Sequence, residues 1–315
     1  MIATFFTKSN PTHYVFASIY LLGLFVVNLN YNIFNFLIGS LSLLLLLLAV
    51  LLSKFIISKN SLTKKNNYGI IAICFFLGLF MQQVLVFDDI LIANVFLLLA
   101  IRKIYSIRTP ISINKKAFDA SFWILISAIF YIPTLYFFIL LFTALTLYSH
   151  LNLKNIAVII FAVISATTSL YLLEIISSGY LHPIDFINIL FFDIPSLDYI
   201  SSFYETVFKF KWSIKLIIFF SFLIPLTFIF IWNRVIKTNE RRRTTTLVLL
   251  TLILSIIIFI NALNTSAIVF LLFPLIIIFT SYVEQSKWTI VTNLVLSISI
   301  IAPYVLILFS LLLIN

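Results

Sequence analysis

Residues 87–149 read FDDILIANVFLLLAIRKIYSIRTPISINKKAFDASFWILISAIFYIPTLYFFILLFTALTLYS. The stretch opens on a carboxylate pair, Asp88-Asp89, and continues through a short apolar segment to Ile101. A basic segment from Arg102 to Lys116 follows, and then an apolar run from Ala117 to Ser149. A helix needs about 20 residues to cross a bilayer. The first apolar segment is short of that, so it must borrow length from Ile104-Tyr105-Ser106-Ile107, with Arg102 and Lys103 snorkelling. The second run is too long for one span and short for two. Charge decides it, because cytoplasmic loops carry the excess of Lys and Arg. A single span would throw Arg234, Lys237 and Arg241-Arg242-Arg243 outside. Two short helices broken near Pro133 keep them inside, and proline supplies the break by removing a backbone donor.

Composition says what solvent this chain meets. Hydrophobic residues make up 63% of 315 positions and charged residues 10%, with a mean hydropathy of +1.21. Soluble domains carry about 25% charged residues, so the surface here must face lipid. The net charge of +10 is then a positive-inside bias, and no nucleic-acid partner is implied. Membrane lipids are the partner composition calls for. Cys74 is the one cysteine, and His13, His150 and His182 lie far apart. Neither set has the spacing of a metal site, and no cofactor is legible.

The remaining spans follow from the same rule. The first two cover about His13 to Val27 and Phe34 to Leu52, joined by Asn28 to Asn32. The first is read as a retained span, not a cleaved signal peptide. Lys54, Lys59, Lys64 and Lys65 form an inner loop. Span three runs from about Gly69 to Val86. After the Pro133 hairpin come spans near Ile156 to Ile175, Ser213 to Trp232, Thr246 to Ile260, Ile268 to Tyr282 and Trp288 to Leu313. An external amphipathic loop covers Ser177 to Lys211. All 20 basic residues fall inside except Lys209, Lys211 and Lys215. Asp88, Asp89, Glu174, Asp185, Asp193, Asp198 and Glu205 fall outside. Trp212, Trp232 and Trp288 fall at interfaces, where indole is favoured.

Few residues have chemistry to offer. Asp88 and Asp89, at the outer end of a span, can bind a metal ion, act as a general base, bind a cation or cap the helix that follows them. Gln82, Gln83 and Asn94 need hydrogen-bond partners in lipid and are expected to pair across helices, with a substrate-facing role open for Gln83 and Asn94. Asp119 is expected to pair with Arg102 or Arg108. Glu174 could line an outward cavity. His182, Asp185 and Asp193 sit among loop aromatics, an arrangement that suits a sugar or a lipid-linked polar head group as well as a plain interfacial helix.

Two resemblances enter here. Met1 to Pro11, Phe87 to Asn94 and Arg102 to Arg108 look like an uncharacterised bacterial family of many-pass membrane proteins. A label sometimes given to such proteins, beta-carotene monooxygenase, does not suit three scattered histidines, since those enzymes hold iron with several. The second resemblance is to GT-C type membrane glycosyltransferases and glycan polymerases. Asp88 and Asp89 resemble their external acidic pair, and Phe118 to Leu141 resembles their short-helix hairpin, although here the acids follow the third span.

The expectation is an all-α helix bundle of about eleven spans in the bacterial cytoplasmic membrane, a single domain over 1–315. Its N-terminus would lie inside and its C-terminus outside. The GT-C resemblance implies handling of a lipid-linked glycan at the outer face, with Asp88 and Asp89 catalytic. Gln83, Asn94, Glu174, His182, Asp185 and Asp193 would then contact substrate. The alternative is a transporter, a flippase or a scaffold subunit of an envelope complex. A transporter calls for internal repeats or broken helices with charges at the midplane, and no convincing repeat is present.

Overall fold

A computed structural model describes residues 6, 10, 12–28, 33–64, 66–84, 87–176, 210–235, 239–261, 265–286 and 289–312. Among them are eleven α-helices, two 3-10 helices and no strand. In chain order these are α1 (Thr12–Asn28), α2 (Ile33–Lys59), α3 (Tyr68–Val84), α4 (Asp89–Ser106), α5 (Ile113–Phe130), a 3-10 turn (Ile132–Tyr136) and α6 (Phe137–Leu147). They continue with α7 (Leu153–Ile176), α8 (Phe210–Val235), α9 (Asn239–Ile260), a second 3-10 helix (Thr265–Leu271) that runs into α10 (Leu272–Gln285), and α11 (Thr289–Leu312). Sequences this apolar have few side chains to satisfy backbone groups, and a helix satisfies its own. The segments Gly39–Lys59, Arg241–Ile260 and Thr265–Gln285 are long and apolar enough to cross a membrane.

Helix ends depart from the apolar boundaries in a consistent direction. The second span was expected to stop at Leu52, but α2 continues to Lys59. Lys115 and Lys116 lie within α5, and Arg241, Arg242 and Arg243 lie within α9. Lysine and arginine are good helix formers, so a change from apolar to basic does not by itself end a helix. The α4 helix takes the expected extension through Ile104 and Tyr105, ending at Ser106. The chain has only five glycines, and serine occupies left-handed backbone positions in their place. Ser61 (φ 50°) follows α2 and Ser149 (φ 58°) follows α6. Beside them the Leu62 amide donates to Ile57 O (3.1 Å) and the His150 amide to Leu145 O (2.8 Å). This is the Schellman pattern of helix termination.

The expected break at Pro133 is present. The α5 helix stops at Phe130, and Tyr131 is extended (φ −154°, ψ 101°). Pro133 then sits in the first turn of the 3-10 segment, where its missing N–H costs nothing. The Thr134 amide and hydroxyl both donate to Tyr131 O, at 3.1 and 2.9 Å. The chain reverses here. Before the break, the Tyr131 hydroxyl reaches Ile258 O near the end of α9 (3.5 Å). After α6, Tyr148 lies under the guanidinium of Arg243 near the start of α9 (5.9 Å) and interacts with Tyr105 near the end of α4. Thus α4, α5 and α6 run down, up and down beside one another.

At the centre lies the segment from Thr265 to Gln285. Every residue from Ser266 to Val283 is buried, and α3, α8 and α9 pack against it. Gly69 of α3 allows close approach, since a Cβ there would lie 3.0 Å from Ile276 Cγ2. The surrounding helices turn large apolar side chains outward. Leu41, Leu44, Leu48, Leu51 and Phe55 form an exposed stripe on α2, and Ile290, Leu294, Ile298, Ile301 and Val305 form another on α11.

Candidate functional site

The acidic pair sits at the start of α4. Asp88 takes the N-cap position with extended backbone (φ −138°, ψ 152°), yet its side chain makes no capping hydrogen bond. Instead its Oδ2 accepts from Ser266 Oγ at 3.0 Å, across from the 3-10 helix that leads into the buried centre. Asp89, in the first turn of α4, is exposed. The two carboxylates therefore differ: one is tied to the core of the bundle, and one faces out near a helix N-terminus, where negative charge is favoured. Tyr131 completes this end of the molecule. Its ring stacks on Phe270 (centroids 5.9 Å apart, 18°), and its hydroxyl is within electrostatic reach of Asp88. Both 3-10 helices thus lie at the acidic end.

The other residues singled out in the sequence are dispersed. Asn94, five positions beyond Asp89 on α4, is 4% exposed. The polar link between α4 and α5 beside it is made by Ser127 Oγ donating to Ala93 O (2.8 Å). Among the described residues the buried side-chain oxygen of Gln83 has no hydrogen-bond partner, so none of them makes the cross-helix pairing expected of it there. Glu174 belongs to the last turn of α7. That helix leaves from the Tyr148 end and rises about 36 Å over its length, which carries Glu174 toward the acidic end. His182, Asp185 and Asp193 lie outside the described residues, as does nearly all of the expected external loop.

The opposite end collects basic residues and closes them with polar clasps. Asp119 pairs with Lys103 at 2.5 Å, not with Arg102 or Arg108 as expected. One residue along a helix is a rotation of about 100°. Lys103 therefore faces α5, while Arg102 lies over the Phe55 ring of α2 at 4.8 Å. Lys116 Nζ donates to Ser106 O (2.7 Å), Thr109 O (2.8 Å) and Thr109 Oγ1 (2.6 Å), so all three of its protons are used to tie off the end of α4. Burial, and then the neighbouring charges of Lys103 and Lys59, lower its pKa.

A second clasp centres on Asn67, which is 2% exposed. Its Oδ1 accepts from Lys54 Nζ (3.3 Å), and its Nδ2 faces Asn10 O (3.2 Å) and His13 Nδ1 (3.0 Å). Lysine can only donate, which fixes which way the amide points and makes His13 Nδ1 the acceptor. Beside this clasp, Glu284 of α10 accepts from the Lys64 amide (2.8 Å) and Asn66 Nδ2 (2.6 Å).

Chemically, the acidic end offers an oriented carboxylate, an exposed carboxylate, a hydroxyl donor at Ser266 and a phenol at Tyr131. No three His, Cys, Asp or Glu side chains group closely enough to hold a metal ion among the described residues. Sequence reasoning did not find Ser266 or Tyr131. Ser266 is 178 positions from its partner, and nothing in its apolar surroundings marks it. No family model, curated protein or solved structure matches the chain.

Proposed function

We propose that this chain is a multi-pass protein of the bacterial cytoplasmic membrane that holds the polar head of a lipid-linked glycan at its outer end. The proposed topology has about eleven spans, with the N-terminus inside and the C-terminus outside. The observation that carries the reading is the segregation of charge along the bundle. Lys54, Lys59, Lys64, Arg102, Lys103 and Arg243 are linked through Phe55, Asn67, Glu284, Asp119 and Tyr148 at one end, where Lys116 also ties off α4 through Ser106 and Thr109. Asp88 and Asp89 begin the other. The exposed apolar stripes of α2 and α11 between those ends suit hydrocarbon, and contiguous apolar surface of this kind marks a membrane or partner interface. With its basic end in the cytoplasm, as the positive-inside rule requires, the molecule presents Asp88 and Asp89 outward.

In this reading the two acids divide the work. Ser266 orients Asp88, and Asp89 accepts hydrogen bonds from sugar hydroxyls or takes a proton as a general base. Neither role needs a metal ion. The test is native mass spectrometry of the detergent-purified protein with a synthetic polyprenyl-phosphate-linked sugar. Asp89→Asn should abolish the adduct while protein yield stays normal. An adduct that survives in both Asp88→Asn and Asp89→Asn overturns the reading.

A scaffold role is the second reading. The buried segment from Ser266 to Val283 and the tie from Ser266 to Asp88 favour it, because together they make the acidic end a structural joint. A scaffold would tolerate Asp89→Asn, and Ser266→Ala and Asp88→Asn would lower the amount of protein in the membrane.

A further inference from the structure

The corner where α2, α4 and α5 meet at the basic end holds more positive charge than its structural contacts use. Lys59 Nζ lies 5.5 Å from the centre of the Phe55 ring, and the Arg102 guanidinium lies 4.8 Å from it. Lys103 and Lys116 stand close enough for Lys59 and Lys103 to act on the Lys116 ammonium. The acid in contact with this group, Asp119, is committed to Lys103. Among the described residues neither Lys59 nor Arg102 has an acidic partner. Two cations drawn to one ring repel each other, and an anion beside both relieves that repulsion.

Phe55 also ends the exposed stripe of α2. Leu41, Leu44, Leu48, Leu51 and Phe55 follow one another at intervals of three or four positions, each exposed, and so form one continuous apolar face. The face leads from the hydrocarbon depth of the bundle directly to the paired cations. An apolar track that ends in a ring flanked by Lys and Arg is complementary to one kind of molecule: acyl chains joined to an anionic head.

We propose that this corner is a binding site for an anionic phospholipid of the cytoplasmic leaflet. The phosphodiester lies between Lys59 and Arg102, and an acyl chain lies along Leu51, Leu48 and Leu44. The Arg102 fork can hold two phosphate oxygens, while Lys59 acts as a point charge. The site depends on the membrane reading and is independent of any glycan at the other end.

The experiment is lipid titration of the purified protein by native mass spectrometry, with phosphatidylglycerol and phosphatidylcholine as probes. The wild-type protein should bind phosphatidylglycerol in preference. Each interfacial charge contributes about fivefold in affinity, so Lys59→Gln with Arg102→Gln should weaken phosphatidylglycerol binding by well over tenfold and leave phosphatidylcholine unchanged. Replacing Arg241, Arg242 and Arg243 by Gln removes more charge elsewhere and should matter less. Equal loss in both variants, or no loss in the double variant, overturns the site. Displacement of the lipid by millimolar inorganic phosphate would also overturn it, because the occupant would then be a free anion. If the double variant does not fold, Lys59→Gln alone, at an exposed residue, is judged against the single-charge loss.

Discussion

Gly78 stands where α1, α3 and α11 meet, and replacing it by alanine should damage the fold more than its small size suggests. A Cβ at this position would lie 2.5 Å from Pro303 Cβ, 2.7 Å from Pro303 Cγ and 2.8 Å from the Tyr20 hydroxyl. None of these atoms can yield cheaply. Pro303 is a ring inside α11, and Tyr20 is 5% exposed and packed edge-on against Tyr304 (5.2 Å). Relief requires α11 to move away from α3, an overpacking cost of about 1–3 kcal/mol. Gly23 of α1 is the internal control, since a Cβ there meets nothing within 4 Å. Alanine at that position gains helix propensity of about 1 kcal/mol. The same gain offsets part of the clash at Gly78, so the two variants should differ by the full overpacking cost. Thermal unfolding of the detergent-purified protein, followed by fluorescence of its four tryptophans, measures both. The Gly78→Ala variant should melt several degrees below the Gly23→Ala variant, which should melt at or above wild type. If Gly78→Ala is as stable as Gly23→Ala, the α1–α3–α11 contact is not as described.

Three further outcomes follow from the same physical reasoning. Asn67→Leu strands the buried groups that Asn67 now satisfies, at about 1–3 kcal/mol for each unsatisfied group, and should expose the 60–67 loop to protease at the basic end. Ser149→Gly relieves a left-handed position that costs an L-residue about 1–2 kcal/mol, less the extra flexibility of glycine when unfolded. The melt should rise modestly, and the same change at a helical serine such as Ser165 should lower it. The Lys103–Asp119 pair is partly exposed (30% and 37%), so a double-mutant cycle with Lys103→Met and Asp119→Asn should return no more than about 1 kcal/mol of coupling.

The helices and their breaks were legible in the sequence, because apolar run length and proline act directly on the backbone. The reversal at Tyr131 to Tyr136 was legible from Pro133, which interrupts an apolar run too long for one ordinary span. Neighbour relations were not legible. The segment from Ser266 to Val283 is central and α11 peripheral, yet both are apolar, and side chains that suit lipid also suit a helix interface. The partner of Asp119 turned on helical phase, which decides between Arg102 and Lys103 and is not fixed by counting residues. The Asp88–Ser266 bond joins a conspicuous acid to an inconspicuous serine through tertiary packing. Asp88 and Asp89 stood out as rare charges between apolar runs, but their unequal environments, one tied and one exposed, depend on the fold.

In the proposed topology the acidic pair and the basic clusters occupy opposite faces of one membrane. Cysteine substitutions at Asp89, Lys64 and Arg242, in a chain with Cys74→Ser, can be probed in intact cells with a membrane-impermeant maleimide. Position 89 should label in intact cells, and positions 64 and 242 only after the membrane is opened. Labelling of positions 89 and 242 from the same side would contradict that topology.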